Sequence, residues 1–166
     1  MELRHDPVCL VLSRQNMPTL DRARYAPVEG LRRGGYVLAD SRHGEPQVIL
    51  IATGTEVALA VDAHERLEAE GIASRVVSLP SWELFERQPA EYRENVLPPH
   101  VTARVSIEQA STFGWARYVG TTGAAIGMHT FGASAPLKDL QTKFGFTPDA
   151  VVEAAKAQID NSRGTL

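Results

Sequence analysis

The sequence predicts an α/β protein built on a mostly parallel sheet with helices on both faces. Two observations predict this. Short unbroken apolar runs, of which Val48-Ile49-Leu50-Ile51-Ala52 is typical, have the pattern of strands buried on both sides. These runs alternate with segments of helical spacing, and strand–helix alternation is what crossover-connected parallel sheets require.

Taken in order, the first element is Val8-Cys9-Leu10-Val11-Leu12, read as a fully buried strand that ends in Ser13-Arg14-Gln15-Asn16 and is stopped by Pro18. Residues 17–34 carry Pro18, Pro27, Gly30 and Gly34 amid scattered charge, the composition of an irregular linker. A compact domain rarely contains so long a structureless stretch, so it marks a boundary and assigns the first strand to a preceding module. Tyr36-Val37-Leu38 is a short strand, followed by a turn at residues 41–46 and the buried strand Val48–Ala52.

Thr53-Gly54-Thr55 turns the chain into a helix from Glu56 to Glu70, with Val57, Ala60, Val61, His64 and Leu67 on its inner face and Gly71 as its stop. Ser74–Ser78 is the next strand, closed by Pro80. Ser81 can cap a short helix through Trp82, Leu84 and Phe85 that breaks at Pro89, and a second short helix runs to Val96. Val101 to Ile107 reads as a strand ending at Glu108. Phe113 to Val119 reads as helical, with Trp115 and Tyr118 on one side, and a short last strand falls around Ala125–Met128. Pro136 opens a helix lined by Leu137, Leu140 and Phe144 and stopped by Gly145. Thr147 caps the final one, with Pro148 at its first position and Phe146 stapled to Val151. Residues 161–166 read as a frayed tail.

Composition narrows the function. The 166 residues suit one domain, able to bury close to ~70% of the unfolded surface without disulfides or metal. A net charge of −3, mixed in sign along the chain, lacks the basic stripe of a nucleic-acid binder. No apolar run approaches the ~20 residues of a membrane span, and the start lacks signal-peptide layout, so the chain reads as cytoplasmic. Cys9 is the only cysteine, which rules out an internal disulfide and a cysteine metal cluster.

Several residues could carry chemistry. Thr53-Gly54-Thr55-Glu56 joins a buried strand to a helix, where backbone N–H groups favour an anion, yet Thr55 as a helix cap explains it equally without a ligand. His5, His43, His64, His100 and His129 show no metal spacing, and His64 on an apolar face reads as a hydrogen-bonded core residue. His129 and Ser134 share a Gly-rich loop, Met128 to Pro136, that is not a G-x-S-x-G elbow and reads as structural or interfacial. Glu108 falls at a strand end, the ligand-bearing edge of an open parallel sheet, although a lone carboxylate there also serves as an ion-pair or cap partner. Trp82, Trp115 and Tyr118 read as core or interface aromatics. Arg14, mounted at the end of the first strand among polar neighbours, could grip phosphate oxygens in two-pronged fashion or close a salt bridge at the strand's edge.

A series of stretches, in order and at matching spacing, resembles the transketolases: Leu12-Ser13-Arg14-Gln15-Asn16, Gly34-Gly35-Tyr36-Val37-Leu38, Ile51 to Val57, Arg75 to Pro80, Tyr92 to Pro98, Phe131-Gly132-Ala133-Ser134-Ala135-Pro136, and Phe144-Gly145-Phe146-Thr147-Pro148. The resemblance runs from Val8 to Ile159. It implies a three-layer α/β/α sandwich on a five-stranded mixed sheet with one antiparallel strand. On this reading residues 1–16 end a pyrimidine-binding domain, 17–34 form the linker, and 35–160 form the carboxy-terminal domain of the family.

The family moves a two-carbon ketol unit from a ketose phosphate to an aldose phosphate, using thiamine diphosphate held with Mg²⁺ or Ca²⁺ between two subunits as the carrier of a stabilised carbanion. The resemblance implies that the cofactor ligands and catalytic groups lie in upstream diphosphate- and pyrimidine-binding domains, so this chain contributes no catalytic residue, binds no cofactor and is inactive alone. It implies one site residue here, Arg14, as the arginine that binds substrate phosphate. It also implies a homodimer, with the loop from His129 to Ala135 as a candidate contact surface. Other readings are a stand-alone regulatory or interaction domain, the third domain of another thiamine diphosphate enzyme (dihydroxyacetone synthase or 1-deoxyxylulose-5-phosphate synthase), and, weakest for want of a phosphate loop, a generic nucleotide-binding α/β domain.

Overall fold

Val48–Ala52 is wholly buried, and the molecule is organised around it. The computed structural model describes residues 5, 7–14 and 16–164. The elements in chain order are β1 (Tyr36–Ala39), β2 (Val48–Ala52), α1 (Val57–Ala69), β3 (Ser74–Ser78), α2 (Trp82–Glu86), α3 (Ala90–Val96), β4 (Arg104–Ser111), α4 (Ala116–Val119), β5 (Ala124–Met128), α5 (Leu137–Phe144) and α6 (Pro148–Arg163). The five strands form one sheet in the order β1-β3-β2-β4-β5. Strands β3, β2, β4 and β5 run parallel, and β1 alone pairs antiparallel, against β3.

Alternation along β2 produces the layers. Val48, Leu50 and Ala52 face one core with Ala60, Val61 and Leu67 of α1 and Val151, Ala155 and Ile159 of α6. Ile49 and Ile51 face the other, with Phe85, Val96, Trp115 and Tyr118 from the α2-to-α4 side. Each fully buried branched side chain contributes about 1.5–3 kcal/mol, so the central strand alone anchors both faces. The α/β/α sandwich is as expected. Ser81 accepts from the Leu84 N–H and Thr147 from the Ala150 N–H, as their positions before helices predict.

Three expectations are corrected, and a fourth, the strand Val8–Leu12 of a preceding module, finds no partner within this chain: the segment joins no strand ladder and lies open to solvent, Leu12 at 83%. A strand needs a neighbour to pair its N–H and C=O groups, and this sheet offers none to it. The linker is not irregular throughout. Residues 28–33 form a 3₁₀ helix, Tyr25 is buried, and the Ala26 N–H donates to the Leu38 carbonyl at 2.9 Å, tying the segment to the β1 edge. The fourth strand begins at Arg104 rather than Val101, because the Arg104 guanidinium gathers the carbonyls of Leu97, Pro98, Val101 and Tyr118 and folds residues 97–101 back as a loop. Burial pushes that guanidinium's pKa down. Finally, residues 161–163 continue α6 rather than fraying, with the Ser162 hydroxyl bonded to the Ile159 carbonyl. Residues 165 and 166 lie outside the described residues.

On α5, Leu137 is 39% exposed, and only Phe144 of its three expected inner residues packs on the core, half-buried. Among the described residues no helix is long and apolar enough to cross a membrane.

Candidate functional site

Parallel strands bring the exits of β2, β4 and β5 to one edge of the sheet. The chain leaves β2 toward β3 and leaves β4 toward β5. The gap between those diverging exits is where open α/β sheets bind ligands. Here it is filled by the protein itself. Gly54, at φ +56°, permits the tight turn that leads to Glu56, which is 5% exposed. The Thr55 hydroxyl donates to one Glu56 carboxylate oxygen, and the Gln109 N–H beyond Ile107 donates to the other at 3.2 Å. Thr55 is therefore not the helix cap predicted for it; it serves the carboxylate instead. A buried carboxylate at this point repels an anion, so the anion reading of Thr53–Glu56 fails on charge.

The other candidates have protein partners. Glu108 accepts from the Trp115 indole N–H at 2.8 Å. Trp82, Trp115 and Tyr118 form an edge-to-face cluster with centroids 5.1–6.0 Å apart. Burial, then the Glu86 charge, pushes the Tyr118 hydroxyl up to about 12. His64 is buried, and its Nδ1 lies 2.7 Å from the Ser74 hydroxyl; burial lowers its pKa against the pull of Glu68. Glu68 accepts the N–H groups of Arg42 and Ser74. Burial raises the Glu68 pKa, but those N–H groups outweigh it and leave a net lowering. His43 reaches the Glu68 carbonyl and His100 pairs with Glu45. His5, His129 and Ser134 are exposed. Among the described residues no group of three or more His, Cys, Asp or Glu could hold a metal ion.

Arg14 sits in an exposed bend on the unpaired amino-terminal segment, so the rigid strand end expected beneath it is not formed within this chain. Two features were not legible from composition. Phe113 and Phe131, 90% and 98% exposed, hang from the loops that leave β4 and β5. Pairing of Ser111 with Met128 brings those loops to the same sheet edge. Their only sequence signal is an aromatic followed by glycine, and Phe113, read as the start of a helix, lies instead in the turn before α4, which begins at Ala116. The second is Arg104, whose role depends on four carbonyls that no motif announces.

These features define a three-layer α/β domain whose switch-point crevice is closed by its own side chains and which exposes apolar groups at one edge. Residues 34–147 match the family described as the transketolase-like TK C-terminal domain. The chain is 50% identical to the transketolase of Halalkalibacterium halodurans over 97% of its own length and 24% of that protein's. Among solved structures, a Pichia stipitis transketolase superposes with a TM-score of 0.80 at 39% identity, over 91% of this chain and 21% of that one. A split-gene transketolase in the form of an inactive β4 tetramer superposes with a TM-score of 0.60 at 26% identity, over 78% of this chain and 43% of that one. The chain belongs to the transketolase family. It spans about a quarter of the length of the curated relatives it matches.

Proposed function

We propose that this chain works as the carboxy-terminal domain of a cytoplasmic, homodimeric transketolase that transfers a two-carbon ketol unit from ketose phosphates to aldose phosphates. One observation carries the reading: the likeness spans 97% of this chain but 24% of the H. halodurans enzyme. The Pichia stipitis structure is a complex with sedoheptulose-7-phosphate, which supports a ketose phosphate as substrate class. The inactive split-gene protein supports inactivity of this part without its upstream domains.

Thiamine diphosphate with Mg²⁺ or Ca²⁺ would supply the electron sink for the complete enzyme. The described residues of this chain do not fit either group: the crevice holds Glu56, and no metal-ligand cluster is present among them. No step through the cofactor is therefore assigned to this chain. Its proposed parts are two. Arg14 holds the substrate phosphate, its segment completed by pairing with the pyrimidine-binding domain, and the exposed loop from His129 to Ala135 contacts a neighbouring domain or subunit.

Charge-assisted hydrogen bonds contribute about 1.5–3 kcal/mol each. Arg14→Ala in the complete enzyme should raise KM for xylulose 5-phosphate by about ten- to a hundredfold, with the fold intact. An unchanged KM would remove Arg14 from the substrate site.

A further inference from the structure

The segment that joins Arg14 to this domain is fastened by a cluster of bonds. Leu20 packs against the core face that α1 and α6 cover. Asp21 then closes a turn: its carbonyl accepts the Arg24 and Tyr25 N–H groups at 3.1 and 3.0 Å, and its carboxylate accepts the Ala23 N–H at 2.9 Å. An aspartate bonded to its own backbone two residues on holds such a turn in shape. The Arg22 guanidinium reaches forward to the Ala26 carbonyl at 2.7 Å.

This turn docks on one side chain. Glu65, half-buried on α1, accepts from the Arg24 guanidinium at 2.6 Å and from the Tyr25 hydroxyl at 2.9 Å, both on the same oxygen. Arg42 stands 3.8 Å from that oxygen. Burial on its own would raise the Glu65 pKa; the Tyr25 hydroxyl and the Arg24 and Arg42 charges outweigh it and leave a net lowering. An exposed ion pair alone contributes little. Here a buried tyrosine adds a second charge-assisted bond and fixes the geometry.

Arg14 lies six residues before Leu20, at most ~20 Å of extended chain. A two-pronged grip on phosphate needs the guanidinium held in one orientation, and that requires the chain to be fixed on both sides of it. Pairing with the upstream domain would fix one side, and the Glu65 anchor fixes the other. We propose that Glu65 is a positioning residue for the substrate phosphate: it touches no substrate and acts by setting the direction in which the chain leaves Arg14. This rests on the reading of Arg14 as the phosphate-binding arginine. A binding group displaced by about 1 Å loses much of its contribution.

The test is a double-mutant cycle in the complete enzyme, read as KM and kcat for xylulose 5-phosphate. Glu65→Ala should raise KM about three- to tenfold, a part of what removal of Arg14 costs, with kcat little changed. A loss of folded enzyme would instead lower kcat and leave KM alone. In an Arg14→Ala background, Glu65→Ala should add nothing to KM. Tyr25→Phe deletes one of the two bonds without changing the packing; it should raise KM about two- to threefold, and it decides the matter if Glu65→Ala fails to fold. A native KM for Glu65→Ala beside a raised one for Arg14→Ala would overturn the positioning role alone. An equal rise with and without Arg14 would also overturn it, by placing the action of Glu65 elsewhere. A native KM for Arg14→Ala would remove the phosphate reading of Arg14, and the role of Glu65 with it.

Discussion

Glu56 offers a direct test of what closes the switch-point crevice. Its carboxylate, 5% exposed, is the only described side chain that ties the exit of β2 to the exit of β4, through the Gln109 N–H. Glu56→Ala removes that acceptor. The bond from Thr55 is local and can also form in the unfolded chain, so it adds little. The Gln109 bond is charge-assisted, and its loss costs about 1.5–3 kcal/mol, toward the low end because Gln109 is exposed and water can reach its N–H. Glu56→Gln keeps an acceptor without the charge and should lose about half as much. Urea unfolding of the purified chain, followed by the fluorescence of Trp82 and Trp115, reads this directly. With a slope of about 1–3 kcal/mol per molar urea, the midpoint of Glu56→Ala should fall by about 1 M and that of Glu56→Gln by about half that, with slopes unchanged. A Glu56→Ala midpoint equal to the native one would refute the reasoning and leave the crevice closed by packing alone.

Two further outcomes follow from the fold. The His64 pKa is lowered in the folded state, so the unfolded chain binds the proton more readily below about pH 6.5. Stability should therefore be steady above pH 6.5 and decline as pH falls toward 5.5, at up to ~1.4 kcal/mol per pH unit. His64→Gln keeps a partner for Ser74 and should flatten that slope in thermal melts; an unchanged slope would place the titration elsewhere. Gly34 has φ +79°, and a Cβ there would stand against the Phe85 nitrogen and Ser81 oxygen of the α2 cap. Gly34→Ala should cost more than the ~1 kcal/mol of a left-handed alanine, lowering the melting temperature by several degrees, and a native-like melt would mean the turn can yield.

The central elements were legible because their signals are local. Five consecutive apolar residues declare β2, helical spacing with a terminal glycine declares α1, and Ser81 and Thr147 announce their helices by capping them. What escaped depends on distant partners. Val101-to-Ile107 has a strand's composition, yet its first residues bend away because one guanidinium collects carbonyls from Leu97 to Tyr118. Val8–Leu12 has a strand's composition too, and lacks only a neighbour. Glu56 was visible as a first-turn acid, but the partner of its carboxylate, the Gln109 N–H, lies 53 residues away.

The attachment of Tyr25 and Ala26 to the β1 edge has a mechanical consequence. A linker loose over residues 17–34 would give this domain a root-mean-square reach of roughly 23 Å. With the segment secured from Leu20 onward, through its packing on the core and the Arg24–Glu65 pair, the slack falls to residues 17–19 and the reach to roughly 10 Å. The volume swept shrinks more than ~10-fold, and the effective concentration of the domain at any surface just before the tether rises by the same factor. A contact too weak to hold two separate proteins together can then persist on a short leash.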